Sequence, residues 1–394
     1  MSFAFIATTI FIILIGIALY KYFSKSNQPI PVPPEEPVHQ PSKPQPKQTK
    51  EQAKREMKRQ LEELKKKLQM PMETAENYLN VGNTLPICLS FDPSGKYFIV
   101  CCKNRQQILY EVNGIPQNGA GKQRYHITDD AVIDCSLFRD DQDHLELAVA
   151  LTREKSIRSF KLNETSNKSA PGQFTVLNAG NLTIDRIQVS PDTTFVAALG
   201  DETFLRVFQP DGKLLFGKDT SQMRNTEITV SSNSEFVTVS SYTSEIVVYG
   251  IVRDKKTNAP KNVVKAFTFS GHKNSIQTVD FDRNSLYLAS GSKDHSYAYW
   301  LAPERWNEGD ICRKQWTGSL SEPILIIKAC PTMPLVACLT ETGKLYFVDK
   351  SGIKKVVENA HNAGVNRMYW DPSGRYILVL SFNSQFIYAY SNPL

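Results

Sequence analysis

Between residues 86 and 391 the chain repeats one pattern: a short run of alternating apolar and polar positions, a polar turn, and a second apolar run. FDPSGKY at residues 91–97 and WDPSGRY at 370–376 are near copies at the two ends of this region. Related versions stand at SLFRDDQDHLELAVA (136–150), IQVSPDTTFVAAL (187–199), ITVSSNSEFVTVS (228–240), VDFDRNSLYLASG (279–291) and IKACPTMPLVACL (327–339). A third aromatic or aliphatic run follows each: QILYEV, IRSFKL, LRVFQP, IVVYGI, YAYWLA, LYFVDK and FIYAYS. Seven units recurring about every 46 residues predict an all-β, seven-bladed β-propeller of four-stranded blades. The chain ends directly after the third run of the seventh unit, so Tyr78 to Val81 is expected to supply the missing strand and close the ring.

Ahead of the repeats the pattern changes three times. Phe3 to Tyr20 is 18 residues without a charge, a length that spans a bilayer as a helix. Its six Ile, three Phe and two Leu favour insertion by about 3 to 7 kcal/mol. Residues 1–20 are therefore expected to be a transmembrane signal-anchor; a cleaved signal peptide would need a basic residue before the apolar run and a small-residue cleavage site after it. Lys21 and Lys25 follow the span, which places the C-terminal side in the cytosol. Three sequons, at Asn163, Asn167 and Asn181, would accept glycans only on the opposite topology. Residues 21–48 read as a basic, proline-rich disordered linker, with eight prolines between Gln28 and Pro46. It is a spacer or a ligand for a proline-recognition domain. Thr49 then opens a charged amphipathic helix over 49–70 with Met57, Leu61, Leu64 and Leu68 on one stripe. That helix docks on the globular part, self-associates or meets anionic lipid. The propeller takes residues 71–394.

Composition changes the picture mainly through where the charge sits. The chain carries +6 overall, but residues 1–70 hold 12 basic and 6 acidic residues, which leaves 34 of each sign for residues 71–394. A neutral body argues against phosphate-dominated nucleic-acid binding by the repeats. If RNA or a ribosome is a partner, the basic helix over 50–67 must carry it. The seven cysteines show no C-x-x-C spacing, so neither a disulfide framework nor a zinc ribbon is expected. Cys101 and Cys102 are two core thiols or an adjacent redox pair.

The chain carries few motifs of known chemistry. The chain has no H-E-x-x-H, G-x-S-x-G or dinucleotide fingerprint. Residues 118–122 read NGAGK, but Pro116 stands where a phosphate loop needs its first Gly and Gln123 replaces the magnesium-binding Ser or Thr. No catalytic residue, metal or cofactor is expected.

In the fifth unit, Gly271-His272 precedes the first run, Ser290 ends the second, Asp294 sits in the turn and Trp300 lies in the third. This set resembles the hydrogen-bonded His, Ser, Asp and Trp of the WD-repeat family. The resemblance implies a structural network in which the carboxylate orients the imidazole, the imidazole reaches the hydroxyl, and the hydroxyl accepts from the indole. Together with the anchor, the blocks at 263–295 and 221–237 and the two DPSG turns make the chain similar to the membrane-anchored, transducin beta-like members of that family. That similarity implies a non-enzymatic scaffold at the endoplasmic reticulum membrane, its cytosolic propeller binding proteins, among them the stress-sensing kinase of the unfolded-protein response. The long proline-rich spacer and the absence of an extended tail depart from the family. Family blade geometry also puts the turns between second and third runs on the narrow top of the ring. Those turns carry Lys103, Arg105, Arg153, Lys155 and Lys293 as candidate partner-binding residues, against Asp201, Glu202, Glu245 and Glu341 in other sectors.

Overall fold

Alternating segments separated by turn residues fold as antiparallel strands. The computed structural model describes residues 77–115, 121–176, 184–200, 203–221, 224–361 and 365–394. The expected span (1–20), linker (21–48) and amphipathic helix (49–70) lie outside these residues, as do Asn181, Asp201 and Glu202. No helix among the described residues is long and apolar enough to cross a membrane.

After β1 (Asn77–Asn80), strands β2 (Pro86–Phe91), β3 (Tyr97–Cys102), β4 (Gln107–Glu111) and β5 (Gln123–Tyr125) pair in order as one sheet. The next sheet is β6 (Val132–Arg139), β7 (Leu145–Leu151), β8 (Ser156–Leu162) and β9 (Ser169–Val176). A third is β10 (Ile184–Val189), β11 (Val196–Gly200), β12 (Phe204–Phe208) and β13 (Leu214–Asp219). Strands β14 (Asn225–Val230), β15 (Phe236–Ser241), β16 (Glu245–Arg253) and β17 (Pro260–Ser270) pair in order. So do β18 (Ile276–Phe281), β19 (Tyr287–Ser292), β20 (Ser296–Leu301) and β21 (Arg313–Ser319), and these two groups form one eight-stranded sheet. Four more strands, β22 (Ile324–Ala329), β23 (Val336–Thr340), β24 (Leu345–Asp349) and β25 (Gly352–Val357), make a separate sheet. Finally β26 (Val365–Trp370), β27 (Tyr376–Ser381) and β28 (Phe386–Ser391) take β1 as their fourth strand, with Tyr78 opposite Tyr388.

The sequence repeat predicts seven separate four-stranded sheets, and here the structure differs: it has five, plus the sheet of eight. One residue pair, Ser241 with Ile276, joins the two halves of the large sheet. Beside it the Ile276 N–H donates to the Thr243 carbonyl at 2.8 Å. The join forms because β18 starts beside the turn that ends β15, where a strand-end donor meets an unpaired carbonyl.

Successive sheets touch along β2, β6, β10, β14, β18, β22 and β26, and β2 returns to β27, so the sheets close a ring with these strands innermost. Each innermost strand has a register shift near its start, ahead of Cys88, Asp134, Arg186, Glu227, Thr278, Ile326 and Arg367. Such bulges bend a strand and re-aim the side chain that follows. Two residues later, polar side chains reach the exposed backbone edge of the neighbouring inner strand. Ser90 Oγ accepts from Leu137 N–H at 2.8 Å, Ser136 Oγ from Val189 N–H at 3.1 Å and Gln188 Oε1 from Val230 N–H at 3.0 Å. Thr229 Oγ1 donates to Val279 O at 3.0 Å, and Asp280 Oδ2 accepts from Ala329 N–H at 3.1 Å. These bonds satisfy inner-strand backbone groups that no strand covers, each contributing about 1 kcal/mol net.

The apolar core lies between sheets. Tyr97, Ile99 and Leu109 meet Val132, Leu137 and Leu147 across one boundary, and Leu339 and Phe347 meet Trp370 and Val379 across another. Burying each such side chain contributes about 1.5 to 3 kcal/mol. The DPSG turns reverse the chain through a left-handed residue: Gly95 at φ 77° and Gly374 at φ 71°, whose N–H groups donate to Asp92 O and Asp371 O. Glycine takes that conformation without steric cost. Thr193, Ser234 and Ser285 hold the same turn position at φ 58°, 58° and 59°.

Candidate functional site

The fifth-unit residues meet in the sheet of eight. Trp300 Nε1–H donates to Ser290 Oγ at 2.8 Å, and Ser290 Oγ lies 2.8 Å from His272 Nε2. His272 Nδ1 lies 2.7 Å from Ser296 Oγ, which donates to Asp294 Oδ1 at 2.5 Å. With Ser290 donating to Nε2 and Nδ1–H donating to Ser296, every hydrogen has an acceptor and the imidazole is neutral. Burial lowers the His272 pKa and the nearby Asp294 carboxylate only partly opposes it, in keeping with that assignment. For Asp294, burial alone would raise the pKa, but hydrogen bonds from Ser296 and the Lys273 N–H hold it at about 2.

The expected direct contact between carboxylate and imidazole is replaced. Asp294 Oδ1 stands 3.5 Å from His272 Nδ1, and the relay runs through Ser296. Ser296 escapes a four-residue pattern because a serine two positions after a turn aspartate has no signature of its own. Ser290 is fully buried, its hydroxyl held between an indole and an imidazole, so no substrate reaches it.

A second constellation lies inside the ring. The bulges aim Asp134, Arg186, Glu227 and Arg367 into the channel, where Arg367 Nη2 meets Asp134 Oδ1 at 3.0 Å and Arg367 Nη1 meets Glu227 Oε1 at 3.6 Å. Arg186 Nε lies 3.9 Å from Glu227 Oε2, and Lys328 Nζ lies 3.4 Å from Asp280 Oδ1. Burial pushes the Asp134 pKa up despite Arg367, and raises Asp280 despite Lys328. Glu227 is lowered, since the pull of Arg367, Lys328 and Arg186 outweighs its burial. Three cations thus neutralise three carboxylates, and the layer offers no net charge to an ionic ligand. It separates a cavity of about 590 Å³, rimmed by Pro93, Pro191, Pro331 and Pro372, from one of about 170 Å³ lined by Thr226, Gln277 and Leu325. The signal that finds these residues in a sequence is a charge placed inside an otherwise apolar first strand.

The candidate partner-binding residues fall into two groups. Lys103 and Arg105 occupy the β3–β4 turn, and Arg153 and Lys155 the β7–β8 turn of the adjacent sheet. Among the described residues no carboxylate forms an ion pair with Lys103, Arg105 or Arg153. Lys293 stands apart in the β19–β20 turn, paired with Glu341 at 3.8 Å and 5.8 Å from the Tyr242 ring centroid.

Cys101 and Cys102 leave β3 on opposite faces, as adjacent strand residues must. Cys101 packs with Tyr97 and Leu109, Cys102 with Phe98 and Ile108, so they are not a redox pair. Cys101 is instead gathered with Cys88 and Cys135. Gly121 and Lys122 lie at the edge of the described residues, and Lys122 Nζ binds Glu111 and the Tyr97 hydroxyl.

Residues 264–300 match the family described as WD domain, G-beta repeat. The chain is 22% identical over 299 residues to transducin beta-like protein 2 of Mus musculus, and 22% identical over 300 residues to transducin beta-like protein 2 of Homo sapiens. Each match covers 74% of this chain and 66% of the relative, so the chain spans just under two thirds of the length of these relatives. The fold is an all-β propeller, and the stretch that matches a WD repeat lies within its eight-stranded sheet.

Proposed function

We propose that this chain is a non-enzymatic, membrane-tethered scaffold that presents a seven-bladed propeller to the cytosol. The count treats the eight-stranded sheet as two blades, because β14–β17 and β18–β21 each pair strand after strand while one residue pair joins them. The tether rests on the uncharged Phe3–Tyr20 run, and the orientation on Lys21 and Lys25. Placement at the endoplasmic reticulum, in signalling with a stress kinase, rests on the similarity to transducin beta-like protein 2.

The observation that carries the scaffold reading is the contrast among the charges. The channel layer neutralises itself and Lys293 is held by Glu341, whereas Lys103, Arg105 and Arg153 on adjacent sheets find no described counter-ion. A basic sector of this kind steers an acidic partner segment toward the ring more than it sets final affinity. Lysine-directed crosslinking on intact membranes tests it: partner peptides should attach at Lys103 and Lys155 and leave Lys293 unmodified. Partner crosslinks spread evenly around the ring would reject the sector.

The excess of base in residues 1–70 favours one second reading, an RNA- or ribosome-linked adaptor working through the 50–67 helix. Binding of that kind weakens steeply with salt and is lost with the helix, whereas the propeller alone should retain its protein partners.

A further inference from the structure

Cys88 on β2, Cys101 on β3 and Cys135 on β6 bring three thiols to one point between the first two sheets. Their sulfurs all lie within 4.8 Å of one another, and Cys88 Sγ is 3.2 Å from Cys135 Sγ. Three metal–thiolate bonds of about 2.3 Å arranged trigonally put sulfurs about 4 Å apart, so the three sulfurs close on one ion once the 3.2 Å Cys88–Cys135 edge opens by about 0.8 Å.

The cluster lies beside the channel cavity. Cys88 and Cys101 are fully buried, and Cys135, at 6% exposure, is one of the residues bordering the 590 Å³ cavity. We propose that Cys88, Cys101 and Cys135 bind one copper(I) ion in a trigonal, all-thiolate site.

The donor set selects the metal. Zinc takes four ligands, and among the described residues no fourth His, Cys, Asp or Glu joins the group. A donor set of thiolates alone suits soft copper(I). Burial holds the Cys88 thiol well above its ordinary pKa, which keeps it protonated without metal. Coordination reverses that, because a metal-bound thiol is deprotonated outright. Three S–H bonds break, three Cu–S bonds form, three protons pass to solvent and copper stays in the +1 state.

The test uses the full chain in detergent, loaded anaerobically with copper(I) and then challenged with bathocuproine disulfonate. The site should retain one copper per chain, and X-ray absorption at the copper edge should show three sulfur neighbours. Cys135→Ala and Cys101→Ala should each lower retained copper at least tenfold, while Cys338→Ala, a buried thiol elsewhere, should not. If the unaltered chain surrenders its copper to the chelator, or the edge shows fewer than three sulfurs, the site does not exist. That reading needs no variant to fold. Unchanged retention in a chain lacking all three cysteines would equally overturn the proposal.

Discussion

Arg367, on the last innermost strand, donates to the carboxylate of Asp134, on the second innermost strand, at 3.0 Å across 233 residues of sequence. Both are nearly inaccessible, and the same guanidinium faces Glu227 at 3.6 Å. One cation therefore ties three strands of the ring together inside the channel. Arg367→Met leaves the buried Asp134 and the partly buried Glu227 without it and should cost about 3 to 5 kcal/mol. Urea unfolding of Arg367→Met, Asp134→Asn and the double variant measures this. A strong positive coupling between the two sites is expected, and additive losses would mean that the pair does not act as a unit.

The relay through Ser296 makes its own prediction. Ser296→Ala removes the group between imidazole and carboxylate and should cost about 1 to 2 kcal/mol, close to the loss from His272→Ala or Asp294→Ala. Trp300→Phe should cost a similar amount, because Ser290 loses the indole donor while keeping its packing. Thermal melts check all four variants. A Ser296→Ala protein as stable as the unaltered chain would show that Asp294 acts on His272 directly.

Much of this architecture is legible in sequence, and the parts that are not share a physical cause. In each unit an alternating first run and two more continuously apolar runs are set apart by polar turns, so β2, β3 and β4 are visible along with their later counterparts. The outer strands hide: β13 exposes most of its positions and β5 has three residues, so neither shows a strong alternation. The channel layer hides for another reason. A charge such as Arg186 or Lys328 reads as a break in the strand pattern until the ring brings its counter-charge from a strand distant in sequence. The thiol cluster is equally non-local, since Cys135 is 47 residues from Cys88.

The neutral His272 should make the fold acid-sensitive. Burial lowers its folded-state pKa below the ordinary 6.5, so the unfolded chain binds a proton that the folded chain refuses. Stability should fall as pH drops from about 6.5 toward that lowered pKa. Asp294 adds a second loss at lower pH: its stabilisation, about 2 kcal/mol, is complete above the unfolded value of 3.8 and disappears as pH falls through about 2. Asp134 and Asp280, raised by burial, act in the opposite sense, since their protonation favours the folded state. Urea midpoints of the unaltered chain and His272→Gln, taken from pH 7 to 5, should converge as pH falls. Parallel curves would show that His272 is not the group responsible.

Topology is tested by protease on intact microsomes. On the proposed orientation, which rests on Lys21 and Lys25 following the uncharged run, the propeller should be digested from outside. Full protection, with glycans on Asn163 or Asn167, would reverse the orientation.

The scaffold reading stands most directly on the basic turns of β3–β4 and β7–β8. Reversing Lys103, Arg105, Arg153 and Lys155 to Glu should leave the melting temperature unchanged within about 1 kcal/mol of stability, since turn charges of this kind contribute little to the fold. Affinity purification of the reversed full chain from membranes, over a range of salt concentrations, is the decisive measurement. Partner recovery should fall at least tenfold at low salt, and the salt dependence seen with the unaltered chain should largely vanish. Recovery of the same partners, in the same amounts and with the same response to salt, would contradict the account.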